Sequence, residues 1–158
     1  STVVLDRIGS QLQRDYIEQY VQKPIAVRVG LQERMPHLNI APDEARVLAD
    51  YLSTVMVDDA LHAPVPTDAA TVAWGRELFD RHGCVGCHIV GDRGGFVGPD
   101  LNGSGDRLQP GWTVAWLRDP ERWKPGTLQP DHVLTQEEAE ALTAYTLSIP
   151  ARKGRAPQ

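Results

Sequence analysis

Aromatic side chains are scarce in this 158-residue chain: two Phe, four Trp and four Tyr make up 6% of it. The apolar interior must therefore come from aliphatic residues or from something the chain does not encode, and a large apolar cofactor would fill that gap. Basic residues are outnumbered, 16 Lys and Arg against 21 Asp and Glu, for a net charge of −5 and a pI near 5.5. Phosphate neutralisation needs clustered positive charge, so nucleic acid is not an expected partner. No apolar run nears the ~18 residues of a membrane helix, and mean hydropathy is −0.34. Cysteine is limited to Cys84 and Cys87, too few for a disulfide scaffold. A convincing series of alternating strand patterns is also missing, so the chain reads as mostly helical.

What is present falls into ordered segments. Residues 15–22 have helical spacing and stop before Pro24. Residues 42–56 open with Pro42, Asp43 and Glu44 and carry an apolar stripe of Ala45, Leu48, Ala49, Leu52 and Val55, the pattern of an amphipathic helix. The run HAPVPT at 62–67 reads as a linker. Beyond it, helices are expected over 68–81, with Thr67 or Asp68 as cap, over 112–118, and over 135–148, where Thr135 and Glu138 have capping-box spacing. A Gly-rich loop spans 91–105 and an irregular loop 120–130. Arg152, Lys153 and Arg155 follow the last acidic residue, Glu140, so 151–158 reads as a solvated basic tail or a partner contact. The chain begins at Ser1 with no Met or signal peptide and reads as processed or trimmed.

An internal repeat organises these pieces. LDRIGSQLQRDYIEQYVQKP at 5–24 aligns with LNGSGDRLQPGWTVAWLRDP at 101–120, an offset of 96. MPHLNIAPDEARVLADYL at 35–52 aligns with QPDHVLTQEEAEALTAYT at 129–146, an offset of 94. The expected organisation is a half-repeat over 1–62, a linker over 63–67, a complete unit over 68–150 and the tail. The half-repeat has no counterpart of Cys84, Cys87 and His88.

CVGCH at 84–88 is the strongest chemical signal. Two thiols three positions apart can each add to one vinyl group of a haem, and the adjacent His then lies under the iron. The competing readings are a chance match, a dithiol redox pair, which would be expected beside a βαβ pattern, and half of a zinc site, which would need two more ligands. A haem-ligating His usually donates its other ring N–H to a carbonyl. Pro99, eleven residues on in the Gly-rich loop, is a candidate acceptor.

At these residues the sequence resembles the class I c-type cytochromes over 68–148. WGRELFDRHGCVGCH resembles the family's first helix and attachment turn, with Gly75 and Phe79 where that helix packs on the last one. GFVGPDL resembles the segment whose proline carbonyl holds the proximal imidazole, here Pro99 on His88. Leu142 and Tyr145 fall on the closing helix. The resemblance implies an all-α, cytochrome c-like domain around one covalent haem c, held by Cys84 and Cys87, with His88 as iron ligand and a helical partial repeat in front.

The sequence departs from the family at the distal ligand. Where a Met precedes a Pro in the family, Gln129 precedes Pro130, and an amide oxygen is a poor match for low-spin haem iron. The half-repeat has Met35 and Pro36 at the corresponding place. The preferred expectation is that Met35 crosses to the haem held by Cys84 and Cys87, within the chain or in a swapped dimer. Met35 as a core residue or as ligand to a second haem, His132 or Gln129 as ligand, and an open site are the alternatives. Met56 reads as core, and His37, His62 and His82 as solvated or structural. Trp112, Trp116 and Trp123 read as packing residues in preference to propionate donors, and Arg107 and Lys124 as surface residues in preference to propionate partners.

The expected function is one-electron transfer, as a carrier or as a subunit of a respiratory or dehydrogenase complex, with a basic docking patch on at least one redox partner. A haem enzyme or small-ligand-binding protein with an open distal site is the alternative. Covalent attachment at CxxCH occurs outside the bacterial cytoplasm, as the family implies, so a periplasmic or other extracytoplasmic site is expected, with any membrane association made through a partner.

Overall fold

The computed structural model describes residues 5–28, 30–33 and 35–152. Lys153 and Arg155 of the basic tail lie outside the described residues. Helices appear where local chemistry starts and stops them. Helix α1 spans Ile8–Gln11, α2 Arg14–Gln22 and α3 Pro42–Thr54. Pro42 opens α3, and the Glu44 carboxylate accepts from the Ala41 N–H at 2.9 Å. Helix α4 spans Ala69–Arg81, and its cap is Asp68, whose carboxylate accepts from the Ala70 and Thr71 N–H groups at 3.1 and 3.0 Å. Helices α5 Pro110–Arg118, α6 Pro120–Trp123 and α7 Gln136–Ser148 follow. At α7 the capping box forms: the Thr135 hydroxyl accepts from the Glu138 N–H at 3.2 Å and the Glu138 carboxylate from the Thr135 N–H at 3.0 Å.

Three local features differ from the sequence expectation. Helix α6 lies at the start of the expected loop, because the Asp119 carboxylate accepts from the Arg122 N–H at 3.1 Å and Pro120 occupies the first helical position. A two-residue hairpin pairs β1 Ile89–Val90 with β2 Arg93–Gly94, turning through Gly91 at φ 61°. The third feature is Arg152, which belongs to the expected solvated tail but ion-pairs with Asp100 at 3.2 Å. Apart from the hairpin and one isolated bridge, the described residues are helix, turn and loop, so the fold is all-α.

Two clusters form the interior. In the larger one α4 and α7 carry Leu78, Phe79, Ala139, Ala141 and Leu142, with Val114 from α5 and Leu134 before α7. Gly75 lets α4 rest on α7: a Cβ there would sit 2.5 Å from the Ala141 carbonyl carbon and 2.9 Å from Tyr145 Cβ. Phe79 meets Tyr145 edge-on, with ring centroids 5.2 Å apart. Leu78 is wholly buried, worth roughly 2–3 kcal/mol of transfer free energy. In the smaller cluster α2 and α3 bury Ile17, Val21, Ala45 and Ala49, with Leu12, Met35, Ile40 and Leu52 against them. Leu48 and Val55, expected to face a core, are exposed, because among the described residues no helix corresponding to α4 lies over that side of α3.

The two halves meet through a reciprocal contact. Leu12 and Leu108 form an antiparallel bridge, flanked by Gln13 N–H to the Arg107 carbonyl at 2.8 Å and Gln109 N–H to the Gln11 carbonyl at 2.9 Å. The Gln13 side chain donates to the Leu108 carbonyl at 3.0 Å, and the Gln109 side chain to the Leu12 carbonyl at 3.3 Å. Leu12 with Leu108 and Gln13 with Gln109 are pairs at the repeat offset of 96, so each bond has its mate across a local two-fold axis. His62, at the start of the linker run, lies 2.9 Å from the Ser10 hydroxyl through Nε2, and Leu61 beside it is buried.

Candidate functional site

The site is built on the turn that ends α4. Gly83, at φ 66°, reverses the chain in the left-handed region that glycine tolerates. A single 3₁₀ turn over Cys84–Gly86 then presents Cys84, Cys87 and His88. The Gly-rich loop closes over this turn through Gly95 N–H to the Val85 carbonyl at 2.9 Å and Gly98 N–H to the Cys87 carbonyl at 2.8 Å. These bonds bring Pro99 to the imidazole: His88 Nδ1 lies 2.8 Å from the Pro99 carbonyl oxygen. A carbonyl can only accept, so Nδ1 carries the proton and Nε2 is left with its lone pair for a Lewis acid. Among the described residues Nε2 has no protein partner.

Gly98 is the residue that sequence reasoning passes over. A Cβ on it would lie 2.6 Å from His88 Nδ1 and 2.8 Å from Nε2, so only glycine allows the loop to lie flat against the ring. Its position directly before Pro99 was the available signal. Asn102 is a second omission. Its amide bonds both backbone groups of Gly91, at 2.8 and 3.0 Å, and the Asp100 carboxylate at 2.7 Å, tying the hairpin to the loop.

Cys84 and Cys87 form no disulfide with each other, and burial pushes the unmodified Cys84 thiol up to about 11. Reactive dithiols depend on a lowered thiol pKa, so the redox-pair reading loses support. Among the described residues no three His, Cys, Asp or Glu side chains converge as a metal site.

The structure brings Cys84, Cys87, His88 and Pro99 together; Met35 is half-buried against the α2–α3 cluster. Gln129 is half-buried and His132 packs on His82, with ring centroids 4.8 Å apart. That contact lays the loop after Gln129 against the end of α4. Burial first, and His82 second, hold His132 below the usual histidine range. Trp112 packs between Trp116 and Trp123, and the Trp123 N–H donates to the Ala115 carbonyl at 3.0 Å, so that indole has no free donor.

The family model described as Cytochrome c matches residues 72–150. The chain belongs to the cytochrome c family. It is accordingly an electron-transfer haem protein with covalently bound haem c. Among curated proteins, Cytochrome c oxidase subunit 2 of Alkalihalophilus pseudofirmus is 34% identical over 101 residues, covering 58% of this chain and 30% of that protein. The chain thus spans less than a third of that relative's length. No solved structure gives a significant match.

The residues present fit a covalent haem. Arg107, expected at the surface, is half-buried: its Nη2 donates to the Asp100 carbonyl at 2.6 Å while its buried Nε has no partner among the described residues. A guanidinium with a spare, desolvated N–H suits an anionic group such as a propionate. Lys124, by contrast, is exposed. Phe96 and Val97 on the closing loop and Val85 in the turn it closes over are exposed apolar residues, a surface that an apolar macrocycle would cover.

Proposed function

We propose that Cys84 and Cys87 hold the haem as thioethers, that His88 Nε2 ligates its iron, and that the chain passes single electrons as part of an extracytoplasmic respiratory or dehydrogenase complex. The observation that carries the site assignment is the His88 Nδ1 to Pro99 carbonyl contact at 2.8 Å, which fixes the tautomer and leaves the Nε2 lone pair for the iron. Bound there, the haem supplies a one-electron ferric/ferrous couple. The chain's residues do the rest. The turn and loop bonds at Val85 and Cys87 hold the imidazole still across the redox change. Gly98 keeps the ring seated, and Arg107 supplies a fixed positive charge beside the crevice. Membership of a complex is supported by the relative, itself an oxidase subunit. The net charge of −5 favours a partner with a basic docking patch.

Stopped-flow mixing of the ferrous, haem-loaded chain with ferricyanide tests this reading. The expected result is complete one-electron oxidation in a single bimolecular phase, with no steady-state consumption of peroxide. Sustained peroxide turnover, or rapid cyanide binding by the ferric form, would instead identify an open-site haem enzyme.

A further inference from the structure

The half-repeat reproduces the distal side of the haem unit closely enough to show what its surface lacks. Helices α2 and α5 have nine residues each and begin 96 positions apart; α3 and α7 have thirteen each and begin 94 apart. The loops before α3 and α7 share a rare backbone feature. Asn39 and Val133, again 94 apart, are the non-glycine residues at positive φ among the described residues, at 50° and 52°. Each loop then sends an aliphatic residue, Ile40 or Leu134, into its own cluster. Met35 stands where Gln129 stands in the haem unit.

The outer faces differ. In the haem unit α4 covers Ala141 and Tyr145, with Gly75 on the Ala141 carbonyl and Phe79 on the Tyr145 ring, and Leu142 and Ile149 are buried in the cluster that α4 and α7 share. The residues 94 positions earlier are Val47, Leu48, Tyr51 and Val55, and they are 67%, 40%, 53% and 56% exposed. Four apolar side chains on one helix face in water, in the pattern that α4 buries elsewhere in the same chain, mark a face shaped for a helix of α4's kind. In the haem unit that helix runs directly into the CxxCH turn, and the loop after Gln129 abuts its end through His132 and His82. Leu38, at the counterpart of His132, is likewise exposed.

We infer that α2, α3 and the Met35 loop form the distal half of a second haem crevice, completed by a helix and CxxCH turn supplied by another polypeptide segment. The incoming helix docks on Val47, Leu48, Tyr51 and Val55, and Met35 supplies the axial sulfur to the haem it carries. This assignment explains why a segment without attachment cysteines keeps a thioether in its ligand loop. A soft sulfur donor suits haem iron, and the reciprocal Leu12–Leu108 contact joins the two units.

The test uses the full chain with its own haem and, as probe, a haem-bearing peptide of residues 68–88, which has the helix and turn required. Ferric haem with Met ligation shows a weak near-infrared sulfur-to-iron band. The expected result is that neither component has the band alone, that mixing produces it, and that Met35→Ala removes it while Gln129→Ala does not. Tyr51→Asp, with the far-UV spectrum of the parent, should weaken docking at least about tenfold, the scale of one central interface anchor. A band already present in the chain and lost in Met35→Ala would place Met35 on the haem of Cys84 and Cys87 and overturn the inference. So would a mixture without the band, or an ultracentrifuge result in which Tyr51→Asp splits a homodimer, which would make the occupant a second copy. Because the band arises on the peptide's haem, this outcome is separate from whether the chain's own haem transfers electrons.

Discussion

Gly98→Ala tests how the imidazole is held. A Cβ at this position starts 2.6 Å from His88 Nδ1, whereas ordinary contact begins near 3.4 Å. The ring and the loop must separate by roughly 1 Å to recover a normal van der Waals distance. Added to the present 2.8 Å between Nδ1 and the Pro99 oxygen, that displacement takes the pair to about 3.8 Å, outside hydrogen-bond range. The lost bond is worth about 1 kcal/mol. Its N–H donation to a carbonyl gives the ring partial anionic character, which makes it a stronger ligand and favours the ferric state. Losing it raises the potential. If most of the bond energy is specific to the ferric state, the rise is about 40 mV, at 59 mV per tenfold change for one electron. Spectroelectrochemistry of parent and variant measures the difference directly. An unchanged or lowered potential in a folded Gly98→Ala protein would refute the claim that Gly98 seats His88 against Pro99.

Three further outcomes follow from local geometry. Gly75→Ala gains about 1 kcal/mol of helix propensity but forces α4 off the α7 backbone, a cost of about 1–3 kcal/mol or more, so chemical denaturation should show a net loss of stability. Val133→Asn should stabilise the protein by about 1 kcal/mol, because an exposed β-branched residue at φ 52° is exchanged for the residue that occupies the same conformation at Asn39; a higher melting temperature checks it. Asp68 is held below the usual carboxylate range chiefly by its hydrogen bond to the Thr71 hydroxyl. Its contribution is therefore present above the ordinary carboxylate value of about 4 and lost as pH falls through the lower folded value. Asp68→Ala should melt lower than the parent at neutral pH, with the gap closing in acid.

Much of the fold was legible because its signals are local. Thr135 and Glu138 mark the start of α7 by spacing alone, Pro42 and Glu44 mark α3, and the two repeat offsets recur in the helix boundaries. Helices α1 and α6 were not legible, since four residues make little more than one turn and contain no full amphipathic period. The exposure of Leu48 and Val55 was hidden for a different reason: periodicity reports which residues share a face, not whether a second helix covers it. At the site, the CxxCH spacing and Pro99 were readable. Gly98 acts by lacking a Cβ against His88, and Arg107 by a burial that depends on the loop at Asp100, so both needed three-dimensional contacts.

The central claim is that Cys84, Cys87 and His88 hold a haem that exchanges one electron per chain. Spectroelectrochemical titration of the haem-loaded protein tests it most directly, with the Cys84→Ser, Cys87→Ser double variant as control. The expected result is a single reversible wave with the slope of a one-electron couple, and no covalent haem in the control. A titration that needs two electrons per chain, or covalent haem retained after both cysteines are replaced, would contradict it.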